Sequence, residues 1–211
     1  MADVTIGAGT LAGRGVYAAR DFAAGEVVVC YRLQPLSEAD YLALPAGEDL
    51  FVHSYGGRRF LYPAPARYVN HADEPTCFQD FDRGCDVALR PIVAGEPITI
   101  DATTETAREL ETFLAAYRDA TQRRSTSQLR GLVAEDASLW RSGRCVRGGD
   151  EVVAALLAGN SPALADVEWT LGTGRWEALC SARVASDVDL HLTMLLKVIT
   201  GNWQLVYQHL G

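Results

Sequence analysis

The sequence changes character near Thr103, and this change most constrains what the chain can fold into. Before it, apolar runs are short, rich in β-branched and aromatic residues, and bounded by Gly, Pro or Asp, and seven of the eight prolines lie there. Such runs are typical of short β-strands. After it, apolar residues first recur at helical spacing and then return to strand-like runs. We therefore predict an α+β protein with two domains, residues 1–104 and residues 105–211.

In the first half, strands are predicted at four apolar runs and a helix at one segment. The helix covers residues 37–44, because Ser37 is a good N-cap and Pro45 ends the pattern. The strands cover residues 26–31, 60–62, 86–89 and 97–100.

In the second half, a long helix is predicted to open at a capping-box pattern, Thr106 to Glu109, and to bury Leu110, Phe113 and Tyr117. After this long helix, two shorter helices are predicted at about 127–134 and 151–157, and then strands at 167–171, 176–184, 190–199 and 203–210. Gly201-Asn202 is a turn signal that joins the last two of these strands into a hairpin.

Composition excludes several classes of protein. The net charge is −8, which disfavours binding to a nucleic acid backbone, and the first half carries most of the excess acid, which suits a basic substrate. No apolar run reaches the roughly 18–20 residues of a membrane span, so we expect no membrane insertion. The start of the sequence lacks a signal-peptide pattern, so the expected location is the cytoplasm. The five cysteines and four histidines are scattered, and no metal site is predicted.

Three short motifs occur in a fixed order in the first half. They are GRGVYA at 13–18, RYVNHA at 67–72, and VALRPI at 87–92 followed by AGEPITID at 94–101. Each motif is weak alone, since a lone GxG is usually a turn and a lone Asn-His usually a capped loop. Together, over residues 5–102, they resemble the SET domain of protein lysine methyltransferases.

This resemblance implies a mostly-β fold with a knot-like last strand, and S-adenosylmethionine as the cofactor. Glycines allow the backbone to approach such a ligand closely. An alternative is that these segments are only structural turns of a retained fold. The cofactor contacts implied by the resemblance fall on Arg14, Gly15, Val16, Tyr17, Arg67, Asn70 and His71.

One departure from the family pattern bears on activity. The family's last strand usually ends in Asp-Tyr, and that tyrosine is its most important catalytic residue, but here Asp101 is followed by Ala102. Tyr62 and Tyr55 are candidates to replace it, with core packing as the alternative role. The resemblance implies methyl transfer to a lysine of a protein, to a peptide or to a small amine. The alternative is a catalytically degenerate SET fold that acts as a binding or scaffold protein.

The second half resembles the SnoaL-like branch of the nuclear-transport-factor-2-like superfamily. The resemblance rests on diffuse motifs at residues 114–120, 132–137, 143–153, 195–199 and 202–209. It implies a curved sheet around helices, a deep apolar pocket, and homodimer formation through the open face of the sheet. Asp136, His191 and His209 are candidate pocket acids or bases. A small-molecule cyclase, isomerase or dehydratase acting in that pocket is a third interpretation, in which the four tryptophans line the pocket rather than fill the core.

Overall fold

The computed structural model describes residues 3–9, 13–159, 164–172, 176–185 and 190–211. The protein is α+β, as predicted. It divides into two compact units: unit 1 comprises residues 1–53 and 60–108, and unit 2 comprises residues 54–59 and 109–211. In the described parts of the chain, no helix is both long and apolar enough to cross a membrane.

Unit 1 is built from short strands, because its apolar runs are interrupted every few residues by turn-forming Gly, Pro and Asp. The N-terminal elements are strands β1 (Val4–Ala8), β2 (Arg14–Ala18), β3 (Val27–Cys30) and β4 (Gln34–Leu36), helix α1 (Glu38–Leu42), and strands β5 (Val52–Tyr55) and β6 (Arg58–Leu61). They are followed by strands β7 (Asn70–His71), β8 (Cys77–Asp80), β9 (Cys85–Ala88) and β10 (Pro97–Ile100).

The central sheet of unit 1 brings distant motifs side by side. Its strand order is β1-β2-β10-β7. Strand β10 pairs antiparallel with β2, Ile98 lying opposite Val16, and parallel with β7, Thr99 lying opposite Asn70. The first and second sequence motifs therefore flank the last one. The other sheets of the first hundred residues have the orders β3-β9-β8 and β4-β6-β5.

Helix α1 begins as predicted, with a capping box between Ser37 and Asp40. The prediction for the next helix is wrong at its start, since α2 runs from Ala102 to Gln122. Asp101 accounts for the earlier start, because its Oδ1 accepts hydrogen bonds from the backbone N–H and the hydroxyl of Thr103, at 2.9 and 2.7 Å. The Thr106–Glu109 pattern therefore lies inside the helix.

Unit 2 contains most of α2 and one six-stranded sheet. The remaining elements are α3 (Thr126–Leu132), β11 (Val133–Arg141), β12 (Arg144–Arg147), α4 (Gly149–Ala158), β13 (Leu164–Leu171), β14 (Glu177–Val184), β15 (Leu190–Ile199) and β16 (Asn202–Leu210). The sheet order is β12-β11-β16-β15-β14-β13, with β11 and β16 parallel and the other pairs antiparallel. The four C-terminal strands and the hairpin at Gly201-Asn202 match the prediction, whereas β11 and β12 were not predicted.

The core of unit 2 is closely filled along its described residues. Phe113 and Leu129 on the helices are 1% or less exposed, as are Met194, Trp203 and Leu205 on the sheet. Inside this core the Tyr117 hydroxyl donates a 2.7 Å hydrogen bond to Oε1 of buried Gln208. Of the four tryptophans, Trp203 is a core residue, while Trp140 and Trp176 are exposed.

Candidate functional site

Asn70 and Gly15, from the second and first motifs, contact each other in unit 1. The side-chain Nδ2 of Asn70 donates a 3.1 Å hydrogen bond to the backbone carbonyl of Arg14. A Cβ atom built on Gly15 would lie 3.2 Å from that same nitrogen and 3.3 Å from the Cα of Gly9. A side chain at position 15 is thus opposed by close packing rather than by the backbone angles of Gly15. Gly13, in contrast, has φ of +69° and faces open space.

Two guanidinium groups converge on the ring of Tyr68 beside this contact. Arg14 lies 5.0 Å from the ring centroid and donates to the Tyr68 hydroxyl at 3.2 Å, and Arg67 lies 5.9 Å from the centroid. Arg67 is paired with Glu48, but its Nε is buried and has no hydrogen-bond partner in the described chain. Arg14 has no carboxylate within ion-pair distance among the described residues. Arg14 and Arg67 together form a positively charged site, in which the Nε of Arg67 is an N–H donor without a partner among the described residues.

Three other predicted cofactor residues use their side chains internally. Val16 is 1% exposed and belongs to the core of unit 1. The Tyr17 hydroxyl donates to the carbonyl of Ala8. Nδ1 of His71 accepts the backbone N–H of Ala102 at 3.2 Å. The side chains of Val16 and Tyr17 are therefore not available to a ligand, and the other ring nitrogen of His71 lies 3.4 Å from Oδ1 of Asp73.

The residues present fit S-adenosylmethionine in their chemistry. Its carboxylate requires cationic donors, and Arg14 and the Nε of Arg67 are available. Its ammonium and adenine require acceptors, and Oδ1 of Asn70 and the carbonyls around Gly13 can supply them. The close approach of the backbone at Gly15 is consistent with such a cleft.

A second polar cluster, which sequence reasoning missed, lies on one face of the β3-β9-β8 sheet. Gln79 and Val29 both lie opposite Asp86 in the strand register, and Tyr31 follows Val29 by two residues, so Tyr31, Gln79 and Asp86 share a face. The Tyr31 hydroxyl, Gln79 Oε1 and Asp86 Oδ1 are all buried and without a hydrogen-bond partner in the described chain. Buried polar atoms normally have hydrogen-bond partners. Three such atoms without partners therefore indicate a site where a ligand or water supplies the missing hydrogen bonds.

The two titratable groups of this acidic cluster, the Asp86 carboxyl and the Tyr31 phenol, are difficult to ionise. Asp86 is 2% exposed, and burial raises its pKa to about 8, with the negative charge of Glu105 adding to the shift. Burial also raises the pKa of the Tyr31 phenol, and the charges of Asp86 and Glu105 push it in the same direction. The Tyr62 hydroxyl and the Gln79 amide oppose that rise, although neither makes a hydrogen bond of good geometry with Tyr31.

Tyr62 covers the cluster, whereas the other predicted catalytic tyrosine lies elsewhere. The Tyr62 ring is 5% exposed, 5.0 Å from the Tyr31 ring and 5.1 Å from the His53 ring, and His53 lies 3.5 Å from Glu105. Tyr55 is half-buried and belongs to unit 2.

The two polar regions of unit 1 are joined through one aromatic residue. The backbone N–H of Tyr62 donates to the carbonyl of Phe51 at 3.1 Å. The Phe51 ring meets the Tyr68 ring edge-on at 5.5 Å. Phe51 therefore contacts both Tyr68 of the guanidinium pair and Tyr62 beside the acidic cluster.

The three pocket candidates of unit 2 are not brought together in a dry cavity. Asp136, His191 and His209 are all exposed. A cavity of about 420 Å³ does occur in unit 2, but it lies between α3, β11 and α4. Its lining is polar and is formed by Arg130, Val133, Glu135, Gly148, Gly149, Asp150, Glu151 and Val153. Arg130 and Asp150 form an ion pair at 2.9 Å there.

No set of three or more His, Cys, Asp or Glu residues in the described ranges is arranged to hold a metal ion.

The sequence contained one signal for the missed acidic cluster: Asp86 interrupts an otherwise apolar strand, Cys85–Ala88. A charged residue in a buried strand is rare unless it is paired.

Comparison with solved structures finds weak overall similarity to proteins of two kinds. A protein of unknown function from Pectobacterium atrosepticum is 18% identical, with 52% of this chain and 92% of that chain covered at a TM-score of 0.46. An NTF-2-like protein of unknown function from Silicibacter pomeroyi is 16% identical, with 52% and 97% covered at a TM-score of 0.42. A candidate histone methyltransferase of Plasmodium falciparum is 16% identical, with 48% and 93% covered at a TM-score of 0.38.

None of the curated proteins compared with the sequence is significantly similar to it. The sequence model of one family does match, and it covers all three motifs together with the strands that bring them into contact. Residues 13–101 of this chain form a SET domain.

Proposed function

We propose that unit 1 binds S-adenosylmethionine and transfers its methyl group to an amine. The observation that carries this proposal is the guanidinium pair on Tyr68 beside the Asn70–Gly15 contact. Arg14 and Arg67 hold the cofactor's carboxylate, and Asn70 and the backbone around Gly15 hold the rest. When bound, the cofactor supplies an electrophilic methyl group.

The acidic cluster supports an amine as the acceptor. An ammonium group has three N–H donors, and Tyr31, Gln79 and Asp86 offer three unused acceptor atoms. An amine must lose its proton before it can attack, and the Asp86 carboxyl, once ionised above its pKa of about 8, is a competent acceptor for that proton. Tyr31 and Tyr62 orient the amine in place of the tyrosine that Ala102 replaces. The substrate is a protein lysine, a peptide or a small amine.

Calorimetric titration of the full chain with S-adenosylmethionine tests the proposal. We expect binding that weakens at least tenfold in Arg14→Ala, because the carboxylate loses its free cationic partner. Arg83→Ala is the matched control, since Arg83 is an exposed arginine of unit 1 that forms an ion pair with the partly buried Asp80. Absence of binding at millimolar cofactor would overturn the proposal.

A non-catalytic binding protein is the second candidate, and Ala102 favours it. The backbone of Ala102 is tied to His71 and opens helix α2, so the chain turns into a helix where the family keeps its tyrosine. Cofactor binding without methylation of any lysine peptide or amine, followed by mass spectrometry, would select this candidate.

For unit 2 we propose homodimer formation through the outer face of its sheet. Leu179, Leu195 and Tyr207 lie opposite one another on adjacent strands and form an apolar row, in which Leu179 is 38% exposed. Leu179→Glu is expected to yield monomers in sedimentation analysis. Ser127→Glu, at an exposed position on helix α3 rather than on the sheet, is the control.

A further inference from the structure

Two of the five cysteines face each other across strands β3 and β9. Cys30 lies directly opposite Cys85 in the antiparallel register. The next residue, Tyr31, donates its backbone N–H to the carbonyl of Gly84 at 3.0 Å. A hydrogen bond between the residues that flank a pair places that pair at a non-hydrogen-bonded position of the ladder.

Non-hydrogen-bonded pairs are the close pairs of an antiparallel ladder. Their Cα atoms are about 4.5 Å apart, and disulfides span Cα separations of roughly 4.4–6.8 Å. Opposite residues also point to the same face of the sheet. The backbone can therefore accept a bond between these two sulfurs with little movement.

The two thiols differ in access, and the difference suits a two-step exchange. Cys30 is exposed, whereas Cys85 is 2% exposed. Burial raises the pKa of the Cys85 thiol, and the neighbouring Cys30 contributes to the rise. Cys30 is thus the thiol that a reagent from solvent reaches first, and Cys85 is the buried thiol that reacts second.

We propose that Cys30 and Cys85 form a reversible disulfide when the chain meets a low-molecular-weight disulfide such as glutathione disulfide. The Cys30 thiolate attacks one sulfur of the reagent, forming a mixed disulfide and releasing one glutathione thiolate. The Cys85 thiolate then attacks the Cys30 sulfur and releases the second. The two protein thiols are oxidised and lose two protons, and the reagent is reduced to two thiols.

The bond would join two of the three strands that carry the acidic cluster. Tyr31 follows Cys30, and Asp86 follows Cys85, both on the opposite face of the sheet from the sulfurs. Oxidation would fix the spacing of β3 and β9 beneath these side chains. This modification site does not depend on the proposed methyltransferase activity.

Peptide mapping of the full chain under non-reducing conditions tests the proposal. Cleavage after arginine, except before proline, places each cysteine on its own peptide, with Cys30 on residues 21–32 and Cys85 on residues 84–108. After treatment with glutathione disulfide we expect these two peptides to be linked within one chain. The free thiols should fall from five to three, and dithiothreitol should restore all five.

Matched variants separate this pair from the other thiols. Cys145→Ser, which removes the other exposed cysteine, should leave the linkage unchanged. Cys30→Ser should abolish it. A glutathione adduct that persists on Cys30 of the wild type, or a linkage through Cys145 or between two chains, would overturn the proposal. The wild-type map alone decides the matter if a variant fails to fold.

Discussion

Nδ2 of Asn70 lies 3.1 Å from the carbonyl oxygen of Arg14, although the two residues are 56 positions apart in the chain. The contact crosses strand β10, which lies between the strands that carry them. Because β10 pairs with β2 only as far as Ile98 opposite Val16, the carbonyl of Arg14 at the start of β2 is left for the amide. This contact limits the space available for a side chain on the Cα of Gly15.

Gly15→Ala is expected to weaken cofactor binding about tenfold or more. The added Cβ would press on Asn70 Nδ2 at 3.2 Å and on the Gly9 backbone at 3.3 Å, and overpacking of this kind costs about 1–3 kcal/mol. Calorimetry with S-adenosylmethionine measures the effect. Gly131→Ala is the control, because nothing lies within 4 Å of its Cβ position in helix α3, and there alanine should stabilise slightly. Unchanged affinity in Gly15→Ala would place the cofactor elsewhere.

Ala102→Tyr is expected to raise the rate of amine methylation, on the order of 10²-fold if a positioned hydroxyl is what the chain lacks. The residue is half-buried and opens helix α2, where a larger side chain costs the helix little. Mass spectrometry of a lysine peptide follows the product. Ala102→Phe adds the ring without the hydroxyl and should show no gain. Equal gains in both variants would contradict the role of the hydroxyl.

The contact between Gly15 and Asn70 could be predicted from motif order, because a family resemblance carries spatial information that spacing lacks. Strand positions with clear borders, such as 97–100 and 190–199, were also predictable from their flanking Gly, Pro and polar residues. The start of α2 was not, because Asp101 and Thr106 are both acceptable caps and only tertiary pairing of β10 decides between them.

The acidic cluster could not be predicted as a unit. The cluster residues Tyr31, Gln79 and Asp86 are 48 and 7 positions apart in the chain, and only the register of β3, β8 and β9 places them on one face.

Strands β11 and β12 of unit 2 were missed for a related reason. Their polar residues alternate irregularly, and β11 is held by a parallel partner, β16, at the other end of the unit's sequence.

Tyr117→Phe is expected to destabilise unit 2 by about 1–3 kcal/mol, because it leaves Oε1 of buried Gln208 without its donor. Urea unfolding measures the loss. Tyr207→Phe is the control, since Tyr207 is only half-buried on the outer face of the sheet. Equal stability of the wild type and Tyr117→Phe would mean that water replaces the lost donor.

Asp86→Asn is expected to flatten the pH dependence of stability. In the folded chain the pKa of Asp86 is about 8, whereas an unfolded aspartate titrates near pH 3.9 at about its reference value. Below both values the carboxyl is protonated in both states and contributes no pH-dependent penalty. As the pH rises from about 4 towards 8, only the unfolded state ionises, so the wild type loses stability, by up to about 6 kcal/mol, and the loss levels off above pH 8. Urea unfolding at pH 5, 6, 7 and 8, roughly spanning this window, should show Asp86→Asn gaining on the wild type at each step. Asp136→Asn, an exposed control, should run parallel to the wild type. Parallel curves for Asp86→Asn as well would mean that the buried carboxylate is already satisfied by a partner.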